Sequence, residues 1–298
     1  MKPPFLCQTR LQNFKTYFGL CTLCKSFAFH VPNILFLIPR CNRPTQLTND
    51  IGADSPSLER VINIAHLANK YGIVSYETWA LERLLELAQI GVLRSASPEL
   101  CARALNIAAL CDYDTLLDTI IRRLVPRILW SDMNCQAILQ VAQDRGLRKV
   151  MGVIYYKELI DLENASSENR KANRHIFPTE WPGEKRARFL AAHRSLVNLW
   201  ESVRTTPPCF FESGCQGHVE CLTTWTDLWL AAASSPQTTR HASSDVLGRL
   251  KAMMIILKKS MSELHPIALE CTLSALESIT ILRDDITANL MDHFQSES

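Results

Sequence analysis

Glycine is scarce, at 10 residues in a chain of 298. Glycine supplies the positive-φ positions that tight hairpins and phosphate-cradling loops need, so this scarcity weighs against a barrel or sandwich dense in turns and against Gly-rich nucleotide loops. A long apolar run is missing too. The densest, from Phe27 to Pro39, is interrupted by His30 and Pro32 and falls short of the ~20 residues a bilayer-spanning helix needs. Charge of one sign is not in excess: 32 Lys and Arg stand against 30 Asp and Glu, a formal +2, whereas a nucleic-acid binder usually carries a marked basic surplus. Acidic residues are absent before Asp50, where Lys2, Arg10, Lys15, Lys25, Arg40 and Arg43 lie, and without those six cations the rest of the chain is mildly acidic. Local catalytic signatures are lacking as well. No Gly-x-Ser-x-Gly elbow, P-loop or His-Glu-x-x-His occurs, and His66, His193 and His265 stand alone in the sequence, so the chain is read as a non-enzyme.

What is present is helical. Hydrophobic residues make up 47% of the chain, enough for a sizeable core. From residue 51 the pattern becomes regular. Ser55-Pro56 reads as an N-cap with proline at the first helical position, and Leu58, Val61, Ile62, Ala65 and Ala68 then recur at helical spacing up to Gly72. Ser75 opens a partner helix carrying Trp79, Leu81, Leu84, Leu85 and Ala88, closed by Gly91. Ser97-Pro98 starts the next pair, with Leu100, Ala104, Leu105, Ala108 and Cys111 facing inward, and Asp114 precedes a helix that Pro126 is expected to end or kink. Asp132 is the expected cap of a third pair, with Ile138, Val141 and Ala142 buried and Gly146 between its two helices. Ile62-Asn63-Ile64-Ala65, Leu105-Asn106-Ile107-Ala108 and Leu139-Gln140-Val141-Ala142 recur at intervals of 43 and 34 residues, a degenerate repeat of stacked αα-hairpins.

Residues 165–178 turn polar and lose the period, which marks a linker between the hairpin array of 51–164 and a C-terminal helical bundle of 179–298. The bundle reads as a helix over Glu184 to Arg204 with Leu190, Leu196, Val197, Trp200 and Val203 on its apolar side, a helix with Trp225 and Trp229 in the core, and two long closing helices. The last is expected to begin at Pro266 and to bury Leu269, Leu273, Leu276, Leu282, Leu290 and Phe294. Lys185, Arg186, Arg188 and Arg194 are spread round the first of these and read as a solvated face. Residues 1–50 have no helical period and read as an atypical basic leader, poorly ordered.

Eleven cysteines at irregular spacing, several inside apolar helical runs, point to reduced thiols and a cytoplasmic or nuclear setting. Cys21-Thr22-Leu23-Cys24, with His30 and Cys41 downstream, has the spacing of a metal pair without a second pair to complete it. Cys209, Cys215, His218 and Cys221 form the stronger set, Cys-x5-Cys-x2-His-x2-Cys, with Gly214 and Gly217 to let the backbone wrap an ion. Sulfur and imidazole in that number suit structural zinc, a closed site without an open position for catalysis. The plain alternative is that the thiols pack in the core and His218 caps the helix that follows.

Several segments resemble the helical stretch that follows the BTB fold in fungal BTB/POZ-domain proteins: Ser57-Leu58-Glu59-Arg60-Val61-Ile62-Asn63-Ile64-Ala65, Asn69-Lys70-Tyr71-Gly72, Glu77-Thr78-Trp79-Ala80-Leu81, and Glu99 to Leu105. Gly146 to Lys149 with Tyr155-Tyr156, Ser195 to Glu201, and Cys215-x2-His218-x2-Cys221-x3-Trp225 are similar to that group's downstream segments. The resemblance implies a BACK-like array and an intracellular adaptor that works through other proteins, since BTB domains dimerise and recruit ubiquitin ligases or transcriptional regulators. Residues 1–50 are too few and wrongly patterned for a BTB fold, so the resemblance extends to a truncated member, and homodimerisation is not expected of it. The second reading is a zinc-stabilised, nucleic-acid-binding or transcription-associated protein resting on the Cys/His set and the basic helix.

Overall fold

Several helix starts in this protein coincide with serines whose side chains replace a missing backbone partner. The structure, a computed structural model, describes residues 57–168, 177–178, 180–211, 214–264 and 267–295. Among them are eleven α-helices, two short 3-10 turns and no strand. Helix α1 (Leu58–Tyr71) is capped by Ser57, whose hydroxyl accepts from the Arg60 amide at 3.4 Å; the cap expected at Ser55, with Pro56, lies outside the described residues. Gly72 ends α1 in the left-handed region, at φ 65°, and its amide donates to the Ala68 and Asn69 carbonyls, a conformation that costs an L side chain about 1 kcal/mol or more. Helix α2 (Val74–Gln89) follows at once, and after the 3-10 turn Val92–Arg94, α3 (Pro98–Leu110) starts behind Ser97, which accepts from the Leu100 amide at 3.2 Å.

Helix α4 (Asp114–Trp130) runs through Pro126 without ending there. Its last turn is held from outside: Arg127 donates to the carbonyls of Ala96, at 2.9 Å, and Leu93, and Ile128 is fully buried. Tertiary contact thus offsets the lost backbone bond, a cost of about 3 kcal/mol in an unsupported helix. The third hairpin is α5 (Gln136–Asp144) and α6 (Arg148–Glu168), and the α5 start is capped by Asn134, which accepts from the Gln136 amide at 3.0 Å, not by Asp132. In the stack, α1, α3 and α5 form one layer and α2, α4 and α6 the other, each helix packed on the next of its layer. Ala65, Ala104, Ala108 and Ala142 are wholly buried, small side chains that let helix axes approach closely.

The remaining helices are α7 (Gly183–Thr205), α8 (His218–Ser234), the single turn α9 (Pro236–Thr239), α10 (Val246–Leu264) and α11 (Leu269–Asn289), which ends in the 3-10 turn Leu290–Phe294. Helices α8, α10 and α11 pack together, while α11 and the final turn lie against α6. That approach is close: a methyl group on Gly152 of α6 would sit 2.5 Å from the Met291 amide nitrogen. Residues from Ser55 onward form one compact unit, and array and later helices share a single hydrophobic core. Two expected faces hold in part: Leu196, Trp200 and Val203 of α7 and Leu290 and Phe294 at the chain's end are buried as expected. Leu190 is exposed and Phe189 takes its place in the core; on α11, Leu269 and Leu273 are 70% and 62% exposed while Cys271, Ala275, Ile279 and Ile286 are buried. No helix among the described residues is long and apolar enough to cross a membrane.

Candidate metal centre

Helix α8 carries its buried stripe from its first turn: Cys221, Trp225, Trp229 and Ala232. Residues three and four apart share a helical face, so His218 and Cys221 continue that stripe to the N-terminal end. The two tryptophans anchor the helix to the preceding loop and to the last turn of α7. The Trp225 indole N–H donates to the Pro208 carbonyl at 3.1 Å, and that of Trp229 to the Val203 carbonyl at 3.0 Å. Phe210 and Phe211 stand edge-on to the His218 ring, with centroids 5.5 and 5.8 Å away.

The first turn of α11 meets this end of α8. Cys271 is fully buried, with its sulfur 3.5 Å from His218 Nδ1. The Cys215 sulfur, from the loop, lies 3.8 Å from that of Cys221. The ligand atoms of Cys215, His218 and Cys271 all fall within 4.8 Å of one another. Of the set expected from spacing, the fold brings Cys215 and His218 into one group with Cys271, places Cys221 beside Cys215 but outside that group, and leaves Cys209 exposed and outside it. Cys271 was missed because the leucines of α11 were assigned to its inner face; the four-residue spacing of Cys271, Ala275 and Ile279 was the signal for the true one. Cys21, Cys24, His30 and Cys41 lie outside the described residues.

Burial, and then the neighbouring Cys215 and Cys221 thiols, push the Cys271 thiol up to about 12. The seven cysteines among the described residues are free, and 3.8 Å between the Cys215 and Cys221 sulfurs is well beyond the ~2.05 Å of a disulfide. Three sulfurs and an imidazole are a donor set for a thiophilic, tetrahedral cation.

A second cluster joins α6 to the start of α10. Glu163 accepts from the Ser243 amide at 2.7 Å, from both serine hydroxyls at 2.5 Å and from the Ser244 amide at 3.3 Å. His193, isolated in the sequence, places Nε2 3.3 Å from the Ser243 hydroxyl and 3.5 Å from Glu163. The residue types are those of a hydrolytic triad, but the geometry is not. A triad needs serine on one imidazole nitrogen and carboxylate on the other, whereas here Nε2 faces both and Ser243 donates directly to Glu163. Burial alone would raise the Glu163 carboxyl; hydrogen bonds from His193, Ser243 and Ser244 outweigh it and hold the group well below the usual carboxylate range. Beside it, the buried Tyr156 hydroxyl donates to Asp245 at 2.7 Å and accepts from the Leu247 amide at 2.9 Å. The arrangement is a clamp on the N-terminus of α10.

The basic helix is partly neutralised in place. Lys185 pairs with Glu158 at 2.7 Å and sits 3.9 Å above the Trp181 ring, and Arg188 pairs with Glu184 at 3.0 Å. Compared with protein-family models, curated proteins and solved structures, the chain matches none.

Proposed function

We propose that this chain is a non-catalytic protein-interaction scaffold, an adaptor of the BTB-domain family kind acting in the cytoplasm or nucleus. The observation that carries the reading is the tip of the first hairpin. Around the α1–α2 turn Tyr71, Ile73 and Val74 are 65%, 40% and 71% exposed, three large apolar side chains within four residues. Single exposed hydrophobics are ordinary on a folded protein, but a contiguous group of them is the kind of surface that another protein covers. Stacked hairpins suit the role, because each contributes a rigid tip on a frame whose own core is already complete. The resemblance of the hairpin segments to fungal BTB/POZ-domain proteins favours the same kind of work. Two of the four basic groups that favour nucleic acid are already held by carboxylates, so we place protein contact first.

A photo-crosslinking residue at position 74, in the full chain inside cells, tests this. The expected result is a discrete protein adduct that Tyr71→Asp abolishes while the helical content and melting temperature stay unchanged. An adduct pattern indistinguishable from that of the exposed position Lys258 would overturn the reading.

A further inference from the structure

We propose that Cys215, His218, Cys221 and Cys271 bind a structural zinc ion that fastens the start of α8 to the start of α11. The geometry is specific. In a tetrahedral zinc site with Zn–S near 2.3 Å and Zn–N near 2.0 to 2.1 Å, two sulfurs stand about 3.8 Å apart and a sulfur and a nitrogen about 3.5 Å apart. The protein shows Cys215 and Cys221 sulfurs at 3.8 Å, and the Cys271 sulfur and His218 Nδ1 at 3.5 Å. The ligand atoms of Cys215, His218 and Cys271 lie within 4.8 Å of one another, and Cys221 stands outside that trio but against Cys215, so the ion draws the Cys221 sulfur inward to complete the four.

Electrostatics agree with that assignment. Three thiolates and a divalent cation leave a single net negative charge, and it falls at the N-termini of two long helices, each carrying about half a positive charge. Sulfur with imidazole selects zinc over the hard cations magnesium and calcium, which take oxygen ligands. Four protein ligands leave no position for water, so the ion holds structure and does no chemistry. Its place is informative. The Trp225 N–H bond to Pro208 ties the loop before α8 to that helix, and α11 would gain a link to the loop that apolar packing alone does not make directional.

The experiment uses the full chain, purified under reducing conditions from zinc-supplemented cells. Elemental analysis is expected to find a single zinc per chain, retained by Cys209→Ser and lost from Cys271→Ser. Because Cys271 is buried and its variant can fail to fold for packing reasons, Cys215→Ser, at a half-exposed loop position, is the second probe. Cobalt(II) exchanged into the wild type should give thiolate charge-transfer absorption, reduced by one sulfur's share in Cys215→Ser. Zinc retained by Cys271→Ser and lost from Cys209→Ser would overturn the assignment. So would metal-free protein that takes up neither zinc nor cobalt on titration, or one that carries a Cys215–Cys221 disulfide instead.

Discussion

The array helices α1 to α5 and the helices gathered round α6 after residue 183 are alike in being helical, yet they are held by different kinds of contact. In the array, each helix packs on its sequence neighbour and on its counterpart in the next hairpin, through apolar and alanine side chains. Most polar links there are exposed, such as Arg103 to Glu59 at 3.1 Å, although the part-buried Arg127 also bonds the Leu93 and Ala96 carbonyls. Round α6 the decisive contacts are buried or part-buried and polar, and most join residues distant in sequence: Glu163 with Ser243 and Ser244, Tyr156 with Asp245, and the thiol and imidazole group at the head of α8, which takes in Cys271. Apolar packing is tolerant of substitution and undirected, whereas a buried hydrogen-bonded carboxylate accepts only partners at fixed positions. The array is therefore built for regularity, and the later helices for one specific arrangement.

The contrast can be broken most directly at its polar end. Glu163→Ala strips four donors of a common acceptor and is expected to cost about 3 to 5 kcal/mol, measured by urea denaturation with unchanged slope. A cost under about 1 kcal/mol would put this clamp on a level with a surface ion pair and remove the distinction. In the array the corresponding exception is Pro126, exposed and inside a helix. Pro126→Ala should raise stability by roughly 1 to 3 kcal/mol, read as a higher melting temperature; destabilisation would mean that α4 needs its interruption.

Acid sharpens the comparison. Because the folded protein holds the Glu163 carboxyl below its ordinary value, the folded state binds fewer protons there than the unfolded chain does. Its stabilisation is complete above the ordinary glutamate range near pH 4.3 and fades as pH falls from there toward the lower folded value. Urea midpoints measured from pH 6 down to pH 3 should decline, and the decline should be shallower in Glu163→Ala; parallel slopes would count against the clamp. The smallest effect is expected in the array, where Arg103→Ala should change stability by at most about 1 kcal/mol, detectable only as a slight shift in midpoint.

Much of the fold was legible because helix signals are local. Ser97-Pro98 predicts the start of α3, Gly72 and Gly146 mark the turns within hairpins, and Ala65, Ala108 and Ala142 lie in the core where the repeat puts them. Cap positions drifted by a few residues where two candidates compete, Asn134 taking the role assigned to Asp132. For the site, the nearness of Cys215 to His218 and to Cys221 was legible because one loop and one helical turn separate them, though Cys221 stays outside the trio with Cys271.

Three decisions were left to the tertiary structure. Pro126 stays inside α4 because Arg127 and Ile128 are held by the neighbouring segment. The inner face of α11 is Cys271, Ala275 and Ile279 rather than Leu269 and Leu273, because the closing helix must fit against both α6 and α8. Cys271 replaces Cys209 beside His218 for the same reason. The existence of the helices and most of their boundaries follow from the sequence alone, since capping and periodicity act within a few residues. Which faces of distant helices meet, and so which thiols and carboxylates find partners, depended on packing the whole core at once.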